Sequence, residues 1–173
     1  RDRVPDDAPA IAFEGLSKSY GLGVLALDSL TLTVPRGEIF GFLGPNGAGK
    51  STTLRLMLNL LRPTSGRVSI FGVDCNDGSS SVRSQVGYLP GDLTVYPNMT
   101  VRASLDLFSA LRPDRVSEAY VNELCDRLSL DVSIRNRELS HGNKQKVGIV
   151  LAVMARAELI IMDEPTNALD PLM

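Results

Sequence analysis

The run Gly44-Pro45-Asn46-Gly47-Ala48-Gly49-Lys50-Ser51 constrains this chain more than any other stretch. Its spacing, G-x-x-x-x-G-K-[ST], is that of a phosphate-binding loop. Glycines let the backbone curl tightly and present successive N–H groups to phosphate oxygens. The Lys50 ammonium would reach the β- and γ-phosphates, and the Ser51 hydroxyl would be a ligand of Mg²⁺. The residues predicted to bind the nucleotide here are Gly44, Asn46, Gly47, Gly49, Lys50, Ser51 and Thr52.

The flanking residues predict a strand before the loop and a helix after it. Glu38–Leu43 reads as a short buried strand, and the apolar residues after the loop, Leu54, Met57, Leu58 and Leu61, share one helix face. A helix that starts at the loop adds unpaired N–H donors and the positive end of its dipole. Strand, loop and helix in this order are the context that this motif requires.

The rest of the chain alternates predicted strands and helices, which is typical of an α/β fold with a mainly parallel sheet. The strands are expected at 11–13, 30–34, 67–71, 86–89 and 159–162, the first of them antiparallel in character. Thr100 and Ser117 are expected to cap two helices, and a last helix is expected from about Lys144 to Met154. We therefore expect an N-terminal antiparallel β subdomain and a helical subdomain attached to a phosphate-loop core.

The apolar strand Leu159–Met162 ends in two acids, Asp163 and Glu164. In open α/β sheets, ligands bind where the strands end, so both carboxylates are expected at the nucleotide site. Asp163 is placed to hold Mg²⁺, directly or through water. Glu164 would polarise the attacking water as a general base. Glu164 and Lys50 are the predicted catalytic residues.

Composition excludes several other kinds of protein. The 173 residues suit one domain, and a net charge of −2 gives no support for a nucleic-acid partner. No apolar run approaches the ~18 residues needed to cross a membrane. Cys75 and Cys125 lack metal-ligand spacing, so reduced thiols of a cytosolic protein are expected and a disulfide is the alternative.

A third motif resembles a known family. Leu139-Ser140-His141-Gly142-Asn143 is similar to the LSGGQ signature of the ATP-binding cassette (ABC) ATPases, with Ser140 and Gly142 kept. The stretch Asn167-Ala168-Leu169-Asp170 looks like the D-loop of that family. Together with the phosphate loop and the acidic strand end, these motifs follow the family's order across nearly the whole chain. The chain is therefore identified as a member of the ABC ATPases.

The resemblance implies a division of labour along the chain. Residues 10–93 correspond to the β subdomain with the phosphate-loop core, 94–138 to the helical subdomain, and 139–173 to the signature helix, acidic strand and D-loop. It implies that Ser140 and Gly142 close over the γ-phosphate held by a second copy, and that Asp170 belongs to the same site. Tyr20 falls where the family stacks an aromatic ring on adenine. A plain helix cap at Ser140 and an ordinary tyrosine at position 20 are the alternatives.

Two departures from the family pattern are visible. The family usually has a glutamine that touches Mg²⁺ and the attacking water where this chain has Gly91, followed by Asp92, and we hypothesise that Asp92 replaces it in part as an acceptor. The family also places a switch histidine on a strand after the D-loop, whereas this sequence stops at Met173 and its one histidine is His141. We expect a piece of a longer protein, with two central strands left unpaired.

The resemblance predicts the ATP-binding and hydrolysing subunit of a transporter, with ATP and Mg²⁺ as ligands. We expect such a subunit to work as a dimer of identical copies on the cytoplasmic face of the membrane, with a separate permease. The signature variant favours export of a small molecule or lipid. One alternative is a soluble ABC ATPase that acts on DNA or ribosomes. The other is a nucleotide-binding fragment that does not hydrolyse ATP.

Overall fold

A computed structural model describes residues 7–77, 82, 84–112 and 116–164 of the chain. They form two compact units that divide between residues 83 and 84. The first unit carries the phosphate loop. The second carries the signature motif and the acidic strand end.

The first unit is built on an antiparallel sheet of four strands in the order β2-β1-β3-β4. The strands are β1 (Ile11–Tyr20), β2 (Val24–Val34), β3 (Ser65–Ile70) and β4 (Val73–Asp74), and helix α1 spans Lys50–Met57. Alternate residues turn into the core at Val68 and Ile70 of β3. In β1 the buried residues are Phe13 and Leu16, and the alternation slips by one residue at an irregularity between them. The predicted antiparallel β subdomain is confirmed, with strands longer than the apolar patterns indicated.

The second unit combines a parallel strand pair with three helices. Strand β5 (Val86–Leu89) pairs with β6 (Leu159–Met162) in parallel, with Gly87 opposite Ile160. The helices are α2 (Val101–Ala110), α3 (Glu118–Arg127) and α4 (His141–Val153). They share one apolar core, in which Val101, Leu105, Val147 and Val150 are completely buried.

Hydroxyl caps fix where these helices begin. The Thr100 hydroxyl accepts from the N–H of Ala103, and the Ser117 hydroxyl accepts from that of Tyr120. Both predicted caps are confirmed. The last helix begins at His141 with Ser140 as its cap, three residues before the predicted start at Lys144. The pattern missed this start because the first turn, His141-Gly142-Asn143, carries no apolar residue.

The predicted strand Glu38–Leu43 is wrong for this chain, because those residues form no strand. Ile39 and Leu43 are 105% and 93% exposed, and Phe40 is exposed as well. A central strand needs backbone partners on both sides, and no strand of the described residues pairs with residues 38–43. We call residues 38–43 the exposed apolar segment.

Two further expectations need correction. A fully apolar strand such as Leu159–Met162 predicts burial on both faces. Only Ile161 is buried and Met162 is exposed, since β5 is the strand's one partner among the described residues. Helix α1 ends at Met57 and excludes Leu61, because Asn59 takes a left-handed φ of 53°.

Both cysteines are free and buried. Burial, reinforced by the charge of Asp74, raises the pKa of the Cys75 thiol to about 12. A thiol with so high a pKa carries almost no thiolate at neutral pH and is a poor nucleophile. The expectation of unpaired thiols is confirmed.

Candidate nucleotide-binding site

The phosphate loop curls at Gly47 and Gly49, whose φ angles are 84° and 85°. Gly49 is the N-cap of α1, and a Cβ at this position would overlap the backbone carbonyl oxygen of Ala26 on β2. Only glycine satisfies both the left-handed backbone and this close approach. The backbone of β2 therefore limits how the loop can pass into α1. The motif spacing alone does not reveal this constraint.

The Lys50 side chain folds back into the loop. Its ammonium donates to the carbonyl oxygens of Gly44, at 2.6 Å, and Pro45, at 2.9 Å. The loop thus encloses a fixed positive charge. An anion that approached the loop would meet an ammonium already held at its centre.

The first turn of α1 supplies the remaining donors. Ala48 closes a turn within the loop by donating its N–H to Pro45, whereas the N–H groups at the start of a helix have no carbonyl one turn earlier. Ser51 follows on this turn with an exposed side chain, and Asn46 is exposed on the loop. Curled backbone, ammonium and helix N-terminus together form an anion site suited to a polyphosphate.

Tyr20, the last residue of β1, lies beside this turn. Its hydroxyl is 3.4 Å from the Thr52 hydroxyl, and the ring is 39% exposed. The Lys18 ammonium lies 5.5 Å from the ring centre. The structure thus brings Tyr20 to the loop residues, as a base-stacking role would require.

In the second unit, Asp163 and Glu164 follow directly on β6. The N–H of Asp163 donates to the carbonyl of Leu89 at 2.9 Å, which continues the parallel ladder by one residue. Glu164 then leaves the ladder with a φ of 50°. The left-handed backbone of a glutamate costs about 1–2 kcal/mol of conformational free energy. The turn that carries the Glu164 carboxylate is therefore strained.

Gly91 is the neighbour of Asp163. A Cβ built on Gly91 would lie 3.7 Å from Asp163 Oδ2 and 3.5 Å from its carbonyl oxygen. Asp92 instead lines a cleft of about 450 Å³ with Leu93, Phe108 and Arg112. The hypothesis that Asp92 replaces the family's glutamine stays a prediction, and the residue that adjoins the Asp163 carboxylate is Gly91.

The signature residues stand at the start of α4. The Ser140 hydroxyl accepts from the N–H of Asn143 at 3.2 Å, and Gly142 lies in the same first turn. This is the ordinary arrangement of a helix cap. The local geometry at Ser140 is therefore that of the plain cap, the alternative raised by the sequence. The predicted D-loop residue Asp170 lies outside the described residues.

The donors suit Mg²⁺ rather than a metal held by protein alone. The described residues contain no cluster of three or more His, Cys, Asp or Glu side chains that could enclose an ion. Mg²⁺ in nucleotide sites uses one or two protein oxygens together with phosphates and water. Ser51 of the first unit and Asp163 of the second each carry an oxygen of this kind, and their role as Mg²⁺ ligands stays a prediction.

A phosphate loop at a helix N-terminus, followed along the chain by a strand that delivers two acids, defines a P-loop nucleotide-binding protein. The sequence profile of the ABC transporter family matches residues 27–167. The chain therefore belongs to the ABC transporter family.

Curated relatives carry names from transport. The chain is 37% identical over 161 residues to the probable multidrug ABC transporter ATP-binding protein YbhF of Escherichia coli, covering 91% of this chain and 28% of the relative. It is 37% identical over 164 residues to the bacitracin transport ATP-binding protein BcrA of Enterococcus faecalis, covering 94% and 53%. The chain thus spans about half of BcrA and a smaller share of YbhF.

Solved structures agree with the fold. A structure described as the ATP-binding subunit of an ABC transporter matches with 35% identity and a TM-score of 0.82, covering 94% of this chain and 69% of the other. The dimeric bacterial ABC transporter cassette MJ0796 matches with 26% identity and a TM-score of 0.81, covering 92% and 76%. The P-loop α/β fold expected from the sequence is confirmed. Among the described residues, no helix has the length and apolar character to span a bilayer.

Proposed function

We propose that this chain is the ATP-binding and hydrolysing part of an ABC transporter. The observation that carries the proposal is the phosphate loop, which is curled around the Lys50 ammonium at the start of α1. Such a loop has the charge and the backbone donors that a nucleoside triphosphate needs. Tyr20 beside the loop supplies a stacking surface for the base.

In this proposal the acids of the second unit perform the chemistry. Ser51 and Asp163 are the residues that would hold Mg²⁺, and the ion would offset the charge that develops on the phosphates. Glu164 accepts a proton from the attacking water, and its left-handed backbone restricts where the carboxylate can reach. Lys50 stabilises the negative charge on the transferred phosphoryl group.

We further propose that two copies act together. Ser140 and Gly142 at the start of α4 would bind the γ-phosphate held by the loop of the second copy, with Asp170 at the same interface. The dimeric MJ0796 cassette, which matches 92% of this chain, supports this arrangement. Hydrolysis would then depend on association as well as on the residues of one copy.

A separate membrane permease is the proposed partner, at the cytoplasmic face of the membrane. The cleft beside β5 is a candidate site for a docked helix of the permease, because its lining combines apolar side chains such as Phe108 with one charge of each sign, Asp92 and Arg112. The names of the relatives, a multidrug transporter protein and a bacitracin transport protein, support transport of a small molecule. Export is the direction that we propose, because the variant signature Leu139–Asn143 resembles that of exporter subunits.

The decisive measurement is ATP hydrolysis by this chain and by a version extended past Met173, each beside its Glu164→Gln variant. We expect turnover in the extended protein to fall at least ~100-fold in the variant while ATP binding persists. Turnover that survives Glu164→Gln would overturn the assigned base. ATP binding without turnover in either wild-type chain would favour a nucleotide-binding module that does not hydrolyse.

Transport itself needs a second assay. The extended protein, reconstituted in vesicles with the permease encoded beside it, should drive ATP-dependent efflux, and uptake would reverse the proposed direction. Co-purification with ribosomes or DNA, in place of membranes, would favour the soluble ABC ATPase.

A further inference from the structure

A buried polar pair lies on the segment that leads to the signature motif. Asn136 and Ser104 are 1% and 0% exposed, although both side chains are polar. The Asn136 amide nitrogen donates to the Ser104 hydroxyl at 2.7 Å and to the Tyr96 carbonyl at 2.9 Å. Its Oδ1 is buried without a hydrogen-bond partner among the described residues.

Stability alone does not account for this pair. A buried acceptor without a partner is costly, and an apolar side chain of the same volume would avoid that cost. Buried polar pairs instead restrict a core to one arrangement, because a shifted arrangement breaks the hydrogen bonds. The geometry that the pair restricts is therefore the place to look for its role.

Backbone bonds show which segments the pair ties together. Asn136 donates its N–H to Met99 at 2.9 Å, Arg137 donates to Pro97 at 3.0 Å, and Val101 donates to Ile134 at 3.0 Å. The residues just before α2 are thus joined by backbone hydrogen bonds to the short 3₁₀ turn Asn136–Glu138. The side-chain hydrogen bond from Asn136 to Ser104 connects these two segments to the interior of α2.

Asn136 lies only four residues before the signature serine, Ser140. Leu139 follows the 3₁₀ turn, is buried, and donates its N–H to the Asn136 carbonyl at 3.3 Å. Ser140 comes next and caps α4. With Asn136 held on one side and Leu139 in the core, little freedom remains for the backbone that carries the Ser140 side chain.

We propose that Asn136, through the Ser104 hydroxyl, is a positioning residue that fixes the Ser140 cap at the start of α4. The inference rests on the proposed function, in which Ser140 binds the γ-phosphate held by a second copy. Asn136 touches no nucleotide in this account. It determines the place from which Ser140 does so.

The test replaces both partners at once, as Asn136→Leu with Ser104→Ala, in the hydrolytically active protein extended past Met173. Exchanging both polar groups for apolar ones removes the unpartnered Oδ1 and the Ser104 hydroxyl together, but it also removes the donor to the Tyr96 carbonyl. The free energy of unfolding is therefore measured for every variant. Two controls are matched to the double variant. Asn122→Ala removes another amide of this unit, which accepts from Arg102 on α2, and Val121→Ala loosens the same apolar core without touching the pair.

Two readouts separate positioning from stability. We expect hydrogen exchange at the Asn143 N–H, the donor to Ser140, to speed up about tenfold in the double variant relative to Val121→Ala. We expect kcat to fall about tenfold, because small displacements of binding groups carry large kinetic costs, while nucleotide affinity of the single copy stays unchanged. Ser104→Ala alone, which removes one hydroxyl, should show both effects to a smaller degree if the double variant folds poorly.

The outcomes can be told apart. A double variant with normal stability, normal Asn143 exchange and normal kcat overturns the positioning role, as does a loss of kcat that Val121→Ala reproduces at equal stability. Ser140→Ala is the check on the premise. Full activity in Ser140→Ala overturns the proposed function of the signature motif and this inference with it, whereas loss in Ser140→Ala with full activity in the pair variants overturns the inference alone.

Discussion

Gly49 shows what a single residue contributes to the candidate site. The motif spacing predicted a glycine there because phosphates need close backbone approach, and the structure adds a second reason in the carbonyl of Ala26 on β2. That carbonyl has no signature in the sequence, since any residue at position 26 would supply it. The same holds for Gly91, whose contact with Asp163 arises from the pairing of β5 with β6.

Gly49→Ala should abolish tight nucleotide binding and lower the free energy of unfolding by about 2–4 kcal/mol. The left-handed φ costs about 1 kcal/mol for a residue with a Cβ, and the overlap with a backbone oxygen cannot be relieved by a side-chain rotation. Nucleotide titration and urea unfolding would measure the two effects.

Gly47→Ala is the matched control for that substitution. Its φ of 84° is equally left-handed, but an added Cβ would meet no atom within 4 Å. We expect a loss of only about 1 kcal/mol. Equal losses for the two variants would mean that the Ala26 contact is unimportant.

At the scale of elements, the helix caps and the strands β5 and β6 were predictable from the sequence, whereas the start of α4 and the absence of a strand at 38–43 were not. Thr100 and Ser117 announce helices α2 and α3 because a hydroxyl before an apolar run has few other uses. The start of α4 was missed, since its first turn contains no apolar residue and so carries no periodic signal. A strand also needs a partner, and the sequence of residues 38–43 does not state whether one is present.

Helix α4 packs against β5 at two glycines, which gives a prediction for this contact. A Cβ on Gly87 would overlap the carbonyl oxygen of Ala152, which is backbone and cannot move aside. We expect Gly87→Ala to lower the free energy of unfolding by about 2–4 kcal/mol, measured by urea denaturation.

Gly148→Ala should cost less at the same interface. Its Cβ would meet the end of the Leu89 side chain, which can rotate, and alanine in a helix interior gains about 1 kcal/mol over glycine. The expected loss is therefore at least ~1 kcal/mol smaller than for Gly87→Ala. A larger loss for Gly148→Ala would show that the helix, rather than the strand backbone, limits this packing.

At the scale of the whole molecule, the family and its motif order were readable from the sequence, and the state of the sheet was not. The phosphate loop, signature and acidic strand end identify the family because each is defined by spacing. Sheet order depends instead on which strands meet. The described strands give a four-stranded antiparallel sheet and a parallel pair, with the exposed apolar segment in neither.

Ile39→Ser tests whether that segment acquires a partner in a longer chain. In the 173-residue protein Ile39 is fully exposed, so the free energy of unfolding should change by less than ~0.5 kcal/mol. In a version extended past Met173, pairing of residues 38–43 would bury Ile39, and the same change should then cost about 2–4 kcal/mol. Equal small effects in both proteins would show that the added residues leave the segment unpaired.

The ammonium of Lys50 already has two carbonyl partners inside the loop, and this shapes the thermodynamics of ligand capture. A loop that is tethered by its own lysine has given up its conformational freedom before any ligand arrives. Nucleotide binding then becomes an exchange of carbonyl oxygens for phosphate oxygens around one cation. A flexible loop loses conformational entropy when it becomes ordered on binding, and a loop that is already ordered does not. More of the electrostatic attraction then contributes to the binding free energy.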